Sequence, residues 1–159
     1  MKPTVLFVCK DNSVLSPIAE AILTKLGADA FEVHSAGVHP LFIEPLAVEV
    51  MAEIGVNISQ HRPRGIPEFF STPIQHLIFI SNNEAEEHPS FSFPVSFPSS
   101  AWVIDDYVPA NGSYECRLEA FRRTRNILGA RIHSQFVLRG GAEPGPATVW
   151  HREQKLTPH

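Results

Sequence analysis

Thr4–Val8, TVLFV, runs directly into Cys9–Leu23, CKDNSVLSPIAEAIL. A continuous apolar run of this length, rich in β-branched residues, suits a central strand buried on both faces of a parallel sheet. Ser16 followed by Pro17 supplies an N-cap and a first helical position for a helix over Ile18 to Leu26. The stretch therefore reads as strand, short polar loop and helix, with a cysteine where the strand gives way to the loop.

The same alternation continues outward. A second strand is predicted at Phe31 to Ser35. A helix follows from Pro45 to Ile54, where Leu46, Val50 and Ile54 recur four apart, and Gly55 ends it. Ile74 to Ile80 and Ala101 to Ile104 read as a third and a fourth strand. Ser113 is positioned to cap a long last helix that carries Leu118, Phe121, Leu128 and Ile132 on one face. Strands alternating with helices predict an α/β fold of three layers, a small four-stranded parallel sheet flanked by helices. His88 to Ser100, HPSFSFPVSFPSS, has three prolines and three phenylalanines and reads as a packed irregular loop that forms one wall of a pocket. The Gly-, Pro- and charge-rich segment from Arg139 reads as a mobile tail, giving one domain over 1–138 and a tail over 139–159.

Composition narrows the function classes. A chain of 159 residues, 43% of them hydrophobic, has enough apolar material for one domain with a single core. Its formal net charge of −4 and pI near 6.0 provide no broad basic surface, so nucleic acid is not an expected partner. The apolar run before Lys10 is too short for a signal segment or a membrane span, and a cytoplasmic location without membrane contact is expected. The two cysteines, Cys9 and Cys116, are too few for a disulfide scaffold and lack zinc-site spacing. No metal or cofactor is expected.

A loop between the C-terminal end of a central parallel strand and the next helix turns backbone N–H groups and the positive end of the helix dipole toward one point, which suits an oxyanion. The candidate anion-binding loop is Lys10, Asp11, Asn12, Ser13, Val14, Leu15 and Ser16. A cysteine at its start sits in a field that favours the thiolate, a nucleophile toward the central atom of bound phosphate or arsenate. On spacing alone Cys9 reads equally as a small buried hydrophobe at a strand end.

Cys9, Asn12, Ser16 and the run SPIAEA resemble the low-molecular-weight protein tyrosine phosphatases and the related thioredoxin-coupled arsenate reductases, whose signature is Cys, five residues, Arg, Ser. Ser35-Ala36-Gly37, the segment EIGVNISQHRPR from Glu53 to Arg64, and Trp102 to Asp106 with AFRRTRNIL further on resemble later segments of the same family in the same order. The likeness spans residues 3 to 137. It implies that Cys9 is the nucleophile, that Asp106 is the general acid which protonates the leaving oxygen and later activates water, and that Asn12, Ser16, Ser35 and His61 form a hydrogen-bonded network supporting the loop. Without those partners His61 would read as a surface histidine before a turn. His34, His39, His76, His88 and His133 read as structural or solvated.

Three departures qualify the resemblance. Leu15 occupies the position of the signature arginine, which removes the planar guanidinium that would hold two phosphoryl oxygens. Losing one oxyanion donor costs about 10²–10³ in rate, and losing an arginine in phosphoryl transfer about 10³–10⁵. Lys10 reads as a solvated loop lysine, a partial substitute at best, while Arg62 and Arg64 match basic residues that the family carries in addition to its signature arginine. Tyr107 replaces the proline usual after the acid, which keeps Asp105 as a reserve acid. Ser81 and His88 stand where the reductases have their two relay cysteines, so reduction by a three-cysteine relay is not expected, and Cys116 reads as a packing residue.

The expected function is accordingly a much impaired or inactive phosphatase that acts as a binding module for phosphate or a similar oxyanion, free or on a phosphoprotein. The alternative is an active thiol-dependent phosphatase working through a Cys9 phosphoenzyme, or a related thiol catalyst. The apolar residues of 38–44 and 91–97 are expected to flank the loop.

Overall fold

The computed structural model describes residues 2–27, 29–82, 99–104 and 112–138. In chain order the elements are β1 (Thr4–Cys9), α1 (Leu15–Gly27), β2 (Glu32–Gly37), α2 (Pro45–Ala52), a 3₁₀ turn (Ile66–Phe69), β3 (His76–Ser81), β4 (Ser99–Val103) and α3 (Tyr114–Ile132), which runs on into a π-helical turn (His133–Leu138). The strands form one parallel sheet in the order β2-β1-β3-β4. Every residue of β1 is buried, as a central strand covered on both faces requires.

Alternate side chains of β1 feed two cores. Val5 and Phe7 join residues of all three α-helices, among them Ile18 and Leu23 of α1, Val50 of α2 and Leu128 of α3. Leu6 and Val8 face Ile66, Phe69 and Ile74, so among the described residues the 3₁₀ segment covers the opposite face. Phe7 lies at the centre of an aromatic group, 6.0 Å from Trp102 and 6.2 Å from Phe136 between ring centroids. The architecture is thus a four-stranded parallel sheet flanked by helices.

Strand order decides where a site can form. The chain leaves β1 for β2 on one side and returns to β3 on the other, so the order reverses at the C-terminal end of β1. Open α/β sheets bind ligands at that crevice, and Cys9 is the last residue of β1.

Several boundaries differ from the sequence reading. α1 begins at Leu15, and the Ile18 N–H already bonds to Val14 O at 3.1 Å. Ser16 is therefore inside the first turn instead of capping it, because its hydroxyl serves Cys9 and Asn12, as described below. Pro17 is tolerated there because the first turn needs no intrahelical donor from it. α2 ends at Ala52, two residues early. Gly55 adopts φ 79°, its N–H returns to Ala52 O and that of Val56 to Met51 O, both at 3.0 Å. These paired bonds close a helix on a left-handed glycine, and they leave Ile54 on the surface. Ser113 does cap α3, its hydroxyl accepting the Cys116 N–H at 3.2 Å. Cys116 is exposed, which corrects its reading as a packing residue: on the first turn of α3 it faces away from the stripe of Leu118 and Phe121. Tail residues 139–159, the phenylalanine-rich 91–97 segment and His88 lie outside the described residues.

Candidate functional site

The residues between β1 and α1 are shaped by the segment that follows β2. Val38 N–H bonds to Cys9 O at 3.1 Å, His39 N–H to Lys10 O at 2.7 Å, Leu41 N–H to Asp11 O at 2.8 Å and Glu44 N–H to Ser13 O at 3.0 Å. Carbonyl and N–H of a trans peptide point to opposite sides. Turning these four carbonyls toward 38–44 therefore turns the amides of Lys10, Asp11, Asn12 and Val14 to the other side. The Asn12 amide shows the result, donating to Cys9 Sγ at 3.2 Å.

Two backbone positions make the turn possible. Asn12 is the one non-glycine residue with positive φ among the described residues, at 56°, a conformation that asparagine tolerates better than most side chains. Gly37 passes so close that a Cβ there would lie 2.7 Å from Asn12 N and from the Asp11 carbonyl carbon, contacts that backbone atoms cannot relieve by rotation.

The network implied by the resemblance is assembled. Ser16 Oγ lies 2.9 Å from Cys9 Sγ. Asn12 is fully buried, and its Nδ2 donates to Ser16 Oγ at 2.9 Å and Ser35 Oγ at 3.1 Å. Its Oδ1 accepts from Arg64 N–H at 3.0 Å and sits 2.9 Å from His61 Nε2. All four hydrogen-bonding positions of a buried amide are thereby filled, which fixes the strained residue in place.

Glu20 went unread in the sequence, and Arg64 was read only as one of the family's basic residues. The Ser35 hydroxyl donates to Glu20 Oε1 at 2.7 Å, and Glu20 Oε2 lies 3.5 Å from Arg64 Nη1. Glu20 is one helical turn beyond Ser16, and that spacing was the available signal. Arg64 is thus committed to Glu20 behind the loop and Arg62 to Glu68 at 3.1 Å on the surface, so neither stands free as a substitute donor. Lys10 is exposed. Leu15 is half-buried and packs with Val14 against the helical core. Asp105, Asp106 and Tyr107 lie outside the described residues.

Electrostatics at the thiol run against the sequence expectation. Burial pushes the Cys9 thiol up, and the Asp11 carboxylate adds to the rise, although hydrogen bonds from Ser16 and Asn12 pull the other way. His61 is held below its ordinary range by burial, opposed by the Glu20 carboxylate, so the network carries a neutral imidazole near pH 7. Chemically the arrangement offers a buried thiol with two hydrogen-bond partners, Ser16 Oγ and the Asn12 amide, and, among the described residues, no cationic side chain hydrogen-bonded to it. Among the described residues no cluster of three or more His, Cys, Asp or Glu side chains could hold a metal ion, and no helix is long and apolar enough to cross a membrane. A cleft of about 590 Å³ between α1 and residues 55–64 shares Glu20, His61 and Arg64 with the network but is not lined by Cys9 or by residues 10–16.

The fold and these segments recur in known proteins. Arsenate reductases of Halalkalibacterium halodurans and Bacillus licheniformis are each 30% identical to this chain over 131 residues, covering 82% of it and 93% of their own length. An arsenate reductase solved in a phosphate-binding state superposes with a TM-score of 0.66 at 25% identity, over 87% of this chain and 98% of that one. A low molecular weight protein tyrosine phosphatase from T. tengcongensis gives a TM-score of 0.60 at 25% identity, over 86% and 99%. The family model of the low molecular weight phosphotyrosine protein phosphatases matches residues 4–127. With the thiol, its loop and the Asn12 network in the order that the sequence suggested, the chain belongs to the low molecular weight phosphotyrosine protein phosphatase family.

Proposed function

We propose that the protein is an anion-binding member of its family, in which the loop after β1 receives phosphate or a similar oxyanion and turnover is strongly impaired. One observation carries the reading: the support of the loop is complete around Asn12, while Leu15, at the arginine position, packs against the core. Backbone amides and the α1 N-terminus still favour an oxyanion. Without the guanidinium no planar, charged donor holds two oxygens of a transferring phosphoryl group, and the rate falls by about 10³–10⁵. Phosphate binding by an arsenate reductase of the same fold supports an oxyanion as the ligand.

Cys9 is in position to be the nucleophile of a residual reaction, with Ser16 and the Asn12 amide stabilising its charged form and Asp106 as the acid that the resemblance implies. The upward push of burial on the thiol counts against efficient nucleophilic catalysis near neutral pH. Arsenate reduction through three cysteines is not part of the proposal, because the chain has two and Ser81 ends β3. Leu41 and Phe42, exposed in the segment that braces the loop, favour an oxyanion carried on an apolar or protein ligand over a free ion.

Titration with inorganic phosphate, followed through backbone amide chemical shifts, tests the reading. The shifts are expected at residues 10–16 and should be lost when Asn12→Ala removes the network. Shifts confined to exposed lysines and arginines, with residues 10–16 unmoved, would overturn it.

A further inference from the structure

Asp11 is at odds with an anion site. Its Oδ1 accepts both the Ser13 N–H, at 3.2 Å, and the Ser13 hydroxyl, at 2.7 Å. One amide of the candidate loop is thus already taken by a carboxylate of the chain itself. No described residue donates to Oδ2. The side chain is half-buried, and its charge acts on the Cys9 thiol, which places it within electrostatic reach of a ligand against that thiol. The titratable or charged residues beside it in the loop are Cys9 and the exposed Lys10, and the bracing segment, whose backbone bonds to the loop, carries His39 and Glu44. Leu15 adds no charge.

A dianion in this loop meets a fixed negative charge with no guanidinium to offset it. A singly ionised oxyacid meets a complementary surface, because its acidic O–H donates to a carboxylate oxygen while its other oxygens accept from the amides. We propose that Asp11 makes the Cys9 loop selective for the protonated, singly charged form of a tetrahedral oxyanion, accepting a phosphate that still carries an O–H and rejecting dianions that carry none. The inference rests on the anion-binding reading above and narrows its ligand class.

Calorimetric titration of the full chain with inorganic phosphate and with sulfate separates the two ideas. Measurements at about pH 8 and about pH 5.5 span the second ionisation of a phosphate group, whereas sulfate remains a dianion and reports any titration of the protein itself. Asp11→Asn keeps an Oδ1 acceptor for Ser13 and removes the charge, and Asp11→Gly removes both. In the native protein, phosphate affinity is expected to rise at least about tenfold toward the lower pH, beyond any change for sulfate, as one charge-assisted hydrogen bond allows. Asp11→Asn and Asp11→Gly should flatten that profile and tighten sulfate binding by about tenfold. Equal, pH-independent binding of the two anions by the native protein, or a profile that both variants leave unchanged, overturns the role of Asp11 and leaves the anion site standing. If no protein in the series binds either anion, the anion-binding reading fails and the inference goes with it.

Discussion

At the scale of single residues, the proposed function rests chiefly on Cys9 and Leu15. A thiol that is 2% exposed and pushed up by burial should react slowly with alkylating agents at neutral pH. Labelling by iodoacetamide, in a Cys116→Ser background because Cys116 is exposed, is expected to be slower than that of a free thiol. Leu15→Arg should accelerate it by bringing a positive charge toward the thiolate. Fast labelling of the native Cys9 would mean that the loop donors outweigh burial. Sequence alone exposed Cys9, Asn12, Ser16, Ser35 and His61, because their pattern is a family signature. It did not expose the direction of the Cys9 shift, which depends on how completely six buried strand residues and the network exclude water.

At the scale of elements, the packing of β1 and the α2–α3 contact make opposite claims on stability. Phe7 is fully buried among Trp102, Phe136 and the helices, so Phe7→Ala is expected to cost about 3–5 kcal/mol in urea denaturation. Glu53 links α2 to Arg122 at 2.7 Å and Arg125 at 2.8 Å, and these guanidiniums, Arg122 foremost, hold its carboxyl at about 2. The cluster is solvated and screened, so Glu53→Gln should cost less than about 1 kcal/mol. Comparable losses would refute that ranking of core over surface charge. Element existence was legible because periodicity and caps are local: Ser113 starts α3 as read, and Gly55 closes α2 although the helix itself stops at Ala52. The start of α1 was not, because the hydroxyl of Ser16 is claimed by Cys9 and Asn12, partners that only the folded chain supplies. The 3₁₀ turn over Ile66–Phe69 is too short to leave a periodic signal.

For the molecule as a whole, two half-buried histidines contribute pH sensitivity just below neutrality. His61 and His76 are both held below their ordinary range by burial, and His76 Nδ1 has no hydrogen-bond partner. The folded state therefore favours neutral rings. Their contribution is fully present above about pH 6.5, the unfolded value, and is lost as pH falls from there through the lower folded values. Denaturant titrations at about pH 7.5 and about pH 5.5 should show the native protein less stable at the lower pH, with the difference reduced in His76→Phe; an unchanged difference would assign the effect elsewhere. The parallel sheet was readable from the alternation of strands and helices, whereas its strand order, and with it the switch point, came from the fold. The coupling of Glu20 and Arg64 to the loop was not, because it joins α1 to a segment 44 residues away.

The central claim is that one substitution, not a collapsed site, separates this chain from a working phosphatase. Turnover of an aryl phosphate by the native protein, Leu15→Arg and Leu15→Arg/Cys9→Ser tests it most directly. The native protein should turn over weakly at most, Leu15→Arg should gain at least about 10²-fold in rate, and the double variant should lose that gain. Cys9-dependent turnover by the native protein at a rate similar to that of Leu15→Arg, or a Leu15→Arg variant that folds and gains nothing, would contradict it.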